Sequence, residues 1–168
     1  KYGANVQALL KKAAALDIAT ICPLHGPILK EDLGYYIGKY DTWSSYEPED
    51  KGIFIAFGSI HGNTAAAARR LAEILREKGA EKVSVCDLAR DDMAEAVEDA
   101  FRYDRMVLAC ATYDGGLFPA METFLCRLKS KNYQRRTVAL VENGTWAPVA
   151  ARVMREKLEA MKEVRIAE

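Results

Sequence analysis

An α/β fold built on a doubly wound parallel sheet is predicted for the chain beyond residue 50, on three observations. Strand-like and helix-like patterns alternate there at regular intervals. Residues 53–57 and 106–111 are continuous apolar runs, as strands covered on both faces must be, and 137–141 reads as a further buried strand. The first run stops at a glycine-bearing, hydroxyl-rich turn, GSIHGNT over residues 58–64, which feeds an amphipathic helix pattern.

Residues 1–50 read as a short helical extension, and residues 40–51 (YDTWSSYEPEDK), polar and carrying Pro48, read as a linker that leaves a helix and enters a new unit. A strand over 53–57 then leads to a helix over 64–78, closed by Gly79. Residues 83–87 alternate with period two and predict an edge strand, after which Asp91 and Asp92 open a helix running to about Phe101. A strand over 106–111 precedes a glycine-rich loop and a helix from Pro119 to about Lys129, proline being natural in a first turn. A buried strand over 137–141 is followed by a helix from Pro148 to about Met161. Val164, Arg165 and Ile166 look like the start of a fifth strand cut short, without the last helix such a fold expects, so the sequence reads as a piece of a longer chain.

The 168 residues suffice for one ordinary domain with an appendage. Half of them are hydrophobic, enough for a sizeable core. Lys and Arg total 24 against 24 Asp and Glu, and no basic cluster is interleaved with aromatics, which argues against nucleic acid as a partner. No apolar run reaches the ~20 residues of a membrane span, and no signal peptide opens the sequence. No membrane partner and a cytoplasmic location are therefore expected. Of four cysteines, none forms a CxxC pair; Cys86, Cys110 and Cys126 lie in apolar patterns and read as small buried hydrophobes in a reducing compartment. Arg69, Arg70, Arg76 and Lys78 read as the wet face of a helix.

The turn after the first strand carries the chemistry. A strand that ends at such a turn and feeds a helix aims free N–H groups and the positive helix end at one point, which favours a phosphate group. Ser59 and Thr64 add hydroxyls, Asn63 adds an amide, and Gly62 permits a positive φ. The turn holds no Lys or Arg, and the GxxxxGK[ST] spacing is absent. It therefore suits a cofactor's monophosphate better than a triphosphate to be hydrolysed. The blander reading is an ordinary capped strand-to-helix turn.

Residues 52–168 resemble the flavodoxin-like family, a fold of strand order 2-1-3-4-5 that binds FMN at its topological switch point. Three segments carry the resemblance: GSIHGNT after the first strand, ATYDGGLFPAMETFL over 111–125 after the third, and ENGTWAPVAA over 142–151 after the fourth. The resemblance assigns FMN contact to Ser59, Ile60, His61, Gly62, Asn63 and Thr64 in the first loop. In the second it assigns Thr112, Tyr113, Asp114, Gly115, Gly116, Leu117 and Phe118, and in the third Asn143, Gly144, Thr145 and Trp146. His61 either donates to the phosphate or packs beside it. Trp146 either borders the flavin ring or anchors the core, and Asp114 to Gly116 either offer N–H groups to the ring edge or form a surface turn.

Residues 18–29 (IATICPLHGPIL) and 32–49 (DLGYYIGKYDTWSSYEPE) look like the end of the metallo-β-lactamase-like domain of flavodiiron proteins. That resemblance implies an FMN electron-transfer domain, residues 51–168, passing electrons from a reduced donor such as rubredoxin or a flavin reductase to a diiron centre. The parent would then reduce dioxygen or nitric oxide. It makes His25 a metal ligand only in the intact parent, since the family's H-x-E-x-D-H segment is absent from these residues, and it implies a homo-oligomer. With that domain missing, Leu9, Leu10, Leu16, Ile18, Ile21 and Ile28 form an apolar set in need of cover. Two alternatives stay open: a stand-alone FMN-dependent quinone reductase, for which no nicotinamide site is visible, and a regulatory module of the same fold without flavin. The latter requires an acidic cluster where this sequence has Phe57, Gly58, Ser59 and Ala111, Thr112, Tyr113.

Overall fold

The computed structural model describes residues 1–167; Glu168, the last residue of the expected domain, lies outside them. The chain divides into two compact units between Glu47 and Pro48.

The unit Lys1–Glu47 is a pair of helices, α1 (Gly3–Ala13) and α2 (Leu33–Ser45), joined by a loop pinned by an antiparallel bridge between Ile21 and Leu29. The helices approach so closely at Gly3 that a Cβ there would sit 2.4 Å from the Ser44 carbonyl oxygen, which explains the glycine. Gln7 Nε2 ties the pair by donating to Asp41 Oδ1 (2.7 Å) and Ser44 Oγ (2.9 Å). Leu9, Leu10, Leu16, Ile18, Ile21 and Ile37 line an open apolar groove of about 710 Å³, and Leu9, Leu16 and Ile28 are exposed. The expected linker over 40–51 is shorter than the sequence suggested. Helix α2 continues through Tyr40 to Ser45, because Thr42, Ser44 and Ser45 return their hydroxyls to carbonyls of the preceding turn instead of breaking it.

The second unit contains β1 (Asp50–Gly58), α3 (Asn63–Glu77), β2 (Val83–Asp87), α4 (Met93–Arg102), β3 (Tyr103–Tyr113), β4 (Gly116–Leu117), α5 (Pro119–Ser130), β5 (Thr137–Asn143), α6 (Ala150–Glu159) and β6 (Arg165–Ile166). The five parallel strands lie in the order β2-β1-β3-β5-β6, which is 2-1-3-4-5 when the parallel strands alone are counted. The addition is β4, two residues paired antiparallel to the end of β3 where a plain loop was expected. Asp114 (φ 47°) and Gly115 (φ 68°) form the two-residue turn between them, a backbone that an Asp-Gly pair adopts readily.

Alternate residues of the central strands enter two cores, one on each side of the sheet. Phe54, Ala56, Met106, Leu108 and Cys110 pack with Phe124, Leu125, Met154 and Leu158 of α5 and α6. Ile55, Phe57, Val107 and Ala109 pack against the alanines of α3, Ala65, Ala68 and Ala72. Strand β2 alternates in the same sense: Val83 and Val85 pack on the α3 side, and Cys86 belongs to the other core. Both its faces are thus covered, although it is an edge strand. Strand β5, expected to be buried over 137–141, is half-buried from Ala139 to Val141 and exposed at Glu142 and Asn143, since β6 pairs with Thr137 and Val138 alone.

Cys126 corrects the sequence reading. On α5 the core-facing residues are Met121, Phe124, Leu125 and Leu128, spaced three and four apart, and Cys126 falls off that stripe onto the solvent side. Cys86 and Cys110 are buried, and Cys22 is exposed. Among the described residues no helix is long and apolar enough to cross a membrane.

Candidate functional site

Parallel strands all present their carboxyl ends at one edge of the sheet, so the loops after β1, β3 and β5, which are neighbours in the sheet, open side by side. Between them lies a cavity of about 300 Å³ lined by Ser59, Ile60, His61, Asn63, Thr64, Ala111, Thr112, Asn143, Gly144 and Thr145. The lining contains no carboxylate and no Lys or Arg. Apart from His61, the charge selectivity of the lining comes from dipoles.

Those dipoles are set by hydrogen bonds. Gly62 takes the left-handed conformation (φ 89°) that turns the chain into α3, and its N–H donates to Ser59 Oγ at 3.1 Å. A Cβ at Gly62 would meet nothing within 4 Å, so the glycine is required for its backbone angle and not for space. Thr64, in the first turn of α3, accepts on Oγ1 from Asn143 Nδ2 at 3.3 Å. Thr112, at the end of β3, accepts on Oγ1 from the N–H groups of Val149 (3.0 Å) and Ala150 (3.2 Å). All three hydroxyl oxygens therefore already accept from the protein, and among the described residues none donates to a protein acceptor. Each keeps its proton for another partner. Ser59 and Thr64 are buried, at 4% and 3% exposed, so their donor capacity is held away from bulk water. The first N–H groups of α3 have no intrahelical acceptor and share the same end of the helix. The result is a small, donor-rich cavity without carboxylates at a positive helix end, a site for an oxyanion.

The structure gathers nine of the expected residues around this cavity: Ser59, Ile60, His61, Asn63, Thr64, Thr112, Asn143, Gly144 and Thr145. Ala111, which the sequence reading left out, lines it as well. The signal lay in its position, one residue before Thr112 on the same strand end. Gly62 shapes the turn without lining the cavity. Gly144 lets the third loop close over the second, since a Cβ there would lie 3.0 Å from Pro148 and 3.2 Å from Thr112 Oγ1.

The remaining expected residues lie elsewhere. Leu117 is buried in the core. Phe118 packs on Gly58, where an added Cβ would meet its ring at 3.0 Å, and meets Tyr113 edge-on at 6.0 Å between centroids. Asp114, Gly115 and Gly116 make the β3–β4 hairpin. Tyr113 is 47% exposed and Trp146 is 86% exposed, so Trp146 is no core anchor; it stands next to Thr145 with its indole in solvent. His25 is exposed in the α1–α2 loop, and among the described residues no group of three His, Cys, Asp or Glu side chains could hold a metal.

Residues 54–165 match the family model described as "Flavodoxin domain". A nitric oxide reductase of Moorella thermoacetica is 27% identical over 157 residues, 91% of this chain and 38% of that protein. A flavo di-iron protein of Thermotoga maritima superposes on 99% of the chain with a TM-score of 0.85 at 24% identity. The rubredoxin oxygen:oxidoreductase of Desulfovibrio gigas does so with a TM-score of 0.86 at 19% identity. The chain covers 42% and 44% of those two structures, so it spans less than half the length of each of these relatives.

Proposed function

The chain belongs to the flavodoxin domain family, and on that premise we propose that the unit beginning at Pro48 holds FMN by its phosphate in the cavity between the loops after β1, β3 and β5. The observation that carries the reading is a lining rich in donors and free of carboxylates. Ser59 and Thr64 present O–H groups, the first turn of α3 presents N–H groups, and nothing in the lining repels an anion. The residues present fit the group: the carboxylate-free cavity has room for a phosphate, and the glycine fingerprint for a dinucleotide is absent. FMN supplies one- and two-electron transfer when bound. The protein's part is to bind it by the phosphate and to flank the flat ring with the loops bearing Tyr113 and Trp146.

In this reading the unit is the electron-transfer domain of a longer flavodiiron protein. It would stand between a reduced donor such as rubredoxin or a flavin reductase and a diiron centre that reduces dioxygen or nitric oxide. The printed names of the relatives, a rubredoxin oxygen:oxidoreductase and a nitric oxide reductase, support that reading, as does the match over nearly the whole chain. Residues 1–50 are then the end of the metallo-β-lactamase-like domain, and His25 is a ligand only when the rest of that domain completes the site.

Titration with FMN, riboflavin and FAD, followed by quenching of flavin fluorescence, tests the cradle. FMN should bind at least tenfold more tightly than riboflavin, a difference of about 1.4 kcal/mol or more, as hydrogen bonds to a charged acceptor supply. Equal affinity for the two flavins would remove the phosphate from the cavity.

A further inference from the structure

We propose that Asn143 is a positioning residue which, by donating its amide N–H to Thr64 Oγ1, turns the Thr64 hydroxyl proton toward the bound oxyanion. This rests on the phosphate reading of the cavity. The two residues lie 79 positions apart, on the end of β5 and in the first turn of α3, and meet at 3.3 Å only because both elements open on the same sheet edge. A threonine in a first helical turn has competing partners, above all the carbonyls of the residues preceding it. Thr64 makes no such bond among the described residues; its oxygen accepts from Asn143 instead. With one lone pair facing an N–H donor, the hydroxyl proton is repelled from that side and keeps the staggered positions that face away from the amide. Thr64 is buried to 3% exposure and lines the cavity, so the direction left to the proton is inward. Asn143 thus acts on the ligand through Thr64, and it couples the loop after β5 to the phosphate end of the site.

A double-mutant cycle decides between this role and a direct contact. FMN and riboflavin affinities are measured for the wild type, Asn143→Ala, Thr64→Val and the double variant, alongside the thermal midpoint of each. Asn143→Ala should weaken FMN by about three- to tenfold, the range of one ordinary net hydrogen bond, and change riboflavin by less than twofold. With Thr64→Val already in place, it should weaken FMN no further. Equal losses in both backgrounds, or equal losses for FMN and riboflavin, would overturn the proposal. Should Asn143→Ala lower the thermal midpoint, the near-isosteric Asn143→Leu is read in the same cycle, since it removes the donor without adding a charge beside the oxyanion. Its extra loss of FMN affinity in the Thr64 background supports the role, and an undiminished affinity overturns it. A wild type that does not distinguish FMN from riboflavin would instead remove the phosphate reading, and this inference with it.

Discussion

Tyr133 carries a buried hydroxyl that meets no hydrogen-bond partner, while its ring packs edge-on against Phe101 at 5.3 Å. Burial holds its ionisation well above the ordinary tyrosine range. An unpaired donor in the core costs about 1–3 kcal/mol, so Tyr133→Phe should raise stability by about 1 kcal/mol in urea unfolding at neutral pH; a loss would show that the hydroxyl has a partner in solution. Two buried thiols add to the alkaline sensitivity. Burial, reinforced by Asp91, pushes Cys86 up to about 12, and burial alone pushes Cys110 up to about 11, against an ordinary 9.0. Both stay protonated in the fold after the unfolded chain has begun to ionise. Their contribution is therefore whole below pH 9 and is lost as pH rises from 9 toward 12. Unfolding at pH 7.5, 9 and 10.5 should show a falling midpoint, with a smaller fall in Cys110→Ala. Alkylation should label Cys22 and Cys126 in the native protein and reach Cys86 and Cys110 only on unfolding. The hydrophobic pattern around Cys126 pointed to burial because a local run cannot say which side of a helix meets the core.

At the scale of elements, α6 has no side-chain cap of its own; Val149 holds the N-cap position. Residues at the ends of two strands supply its caps. Thr112 on β3 accepts from Val149 and Ala150, and Glu142 on β5 accepts from Ala151 at 3.0 Å. Thr112→Val should therefore cost about 1–2 kcal/mol, the cost of losing a helix cap, and thermal unfolding of the apoprotein measures it without recourse to flavin. An unchanged midpoint would mean that water replaces the hydroxyl. The same arrangement explains why the helix starts at Ala150 and not at Pro148, as proline placement suggested: Ala147 is left-handed (φ 31°) and Val149 is not helical, so the chain is still turning toward Thr112. Where element boundaries depend on local pattern they were legible. Strand β2 occupies 83–87 as its alternation indicates, and Asp92 caps α4 by accepting from Ala94 at 2.7 Å. The hairpin at Asp114 and Gly115 was legible in principle as an Asp-Gly turn, but it was submerged in a loop read for its glycines.

For the whole molecule, the division between Glu47 and Pro48 predicts that a ligand of the second unit stabilises that unit alone. With FMN at a hundred times its dissociation constant, the sheet-bearing unit should gain about 2.7 kcal/mol. Scanning calorimetry should then show one transition moving upward while that of the helical pair stays in place. Both moving together would mean that the two units unfold as one. The alternation of the parallel strands with helices, the buried β1 and β3 and the GSIHGNT turn were determined by the sequence alone, because periodicity and glycine angles act within a few residues. The tertiary structure decided which hydroxyls around the cavity have a proton free to donate, since the partners Asn143, Val149 and Ala150 lie far along the chain. It also decided that Trp146 stands in solvent and Leu117 in the core. Hydrogen-bond direction and burial are properties of what meets across the sheet edge, and no local pattern encodes that meeting.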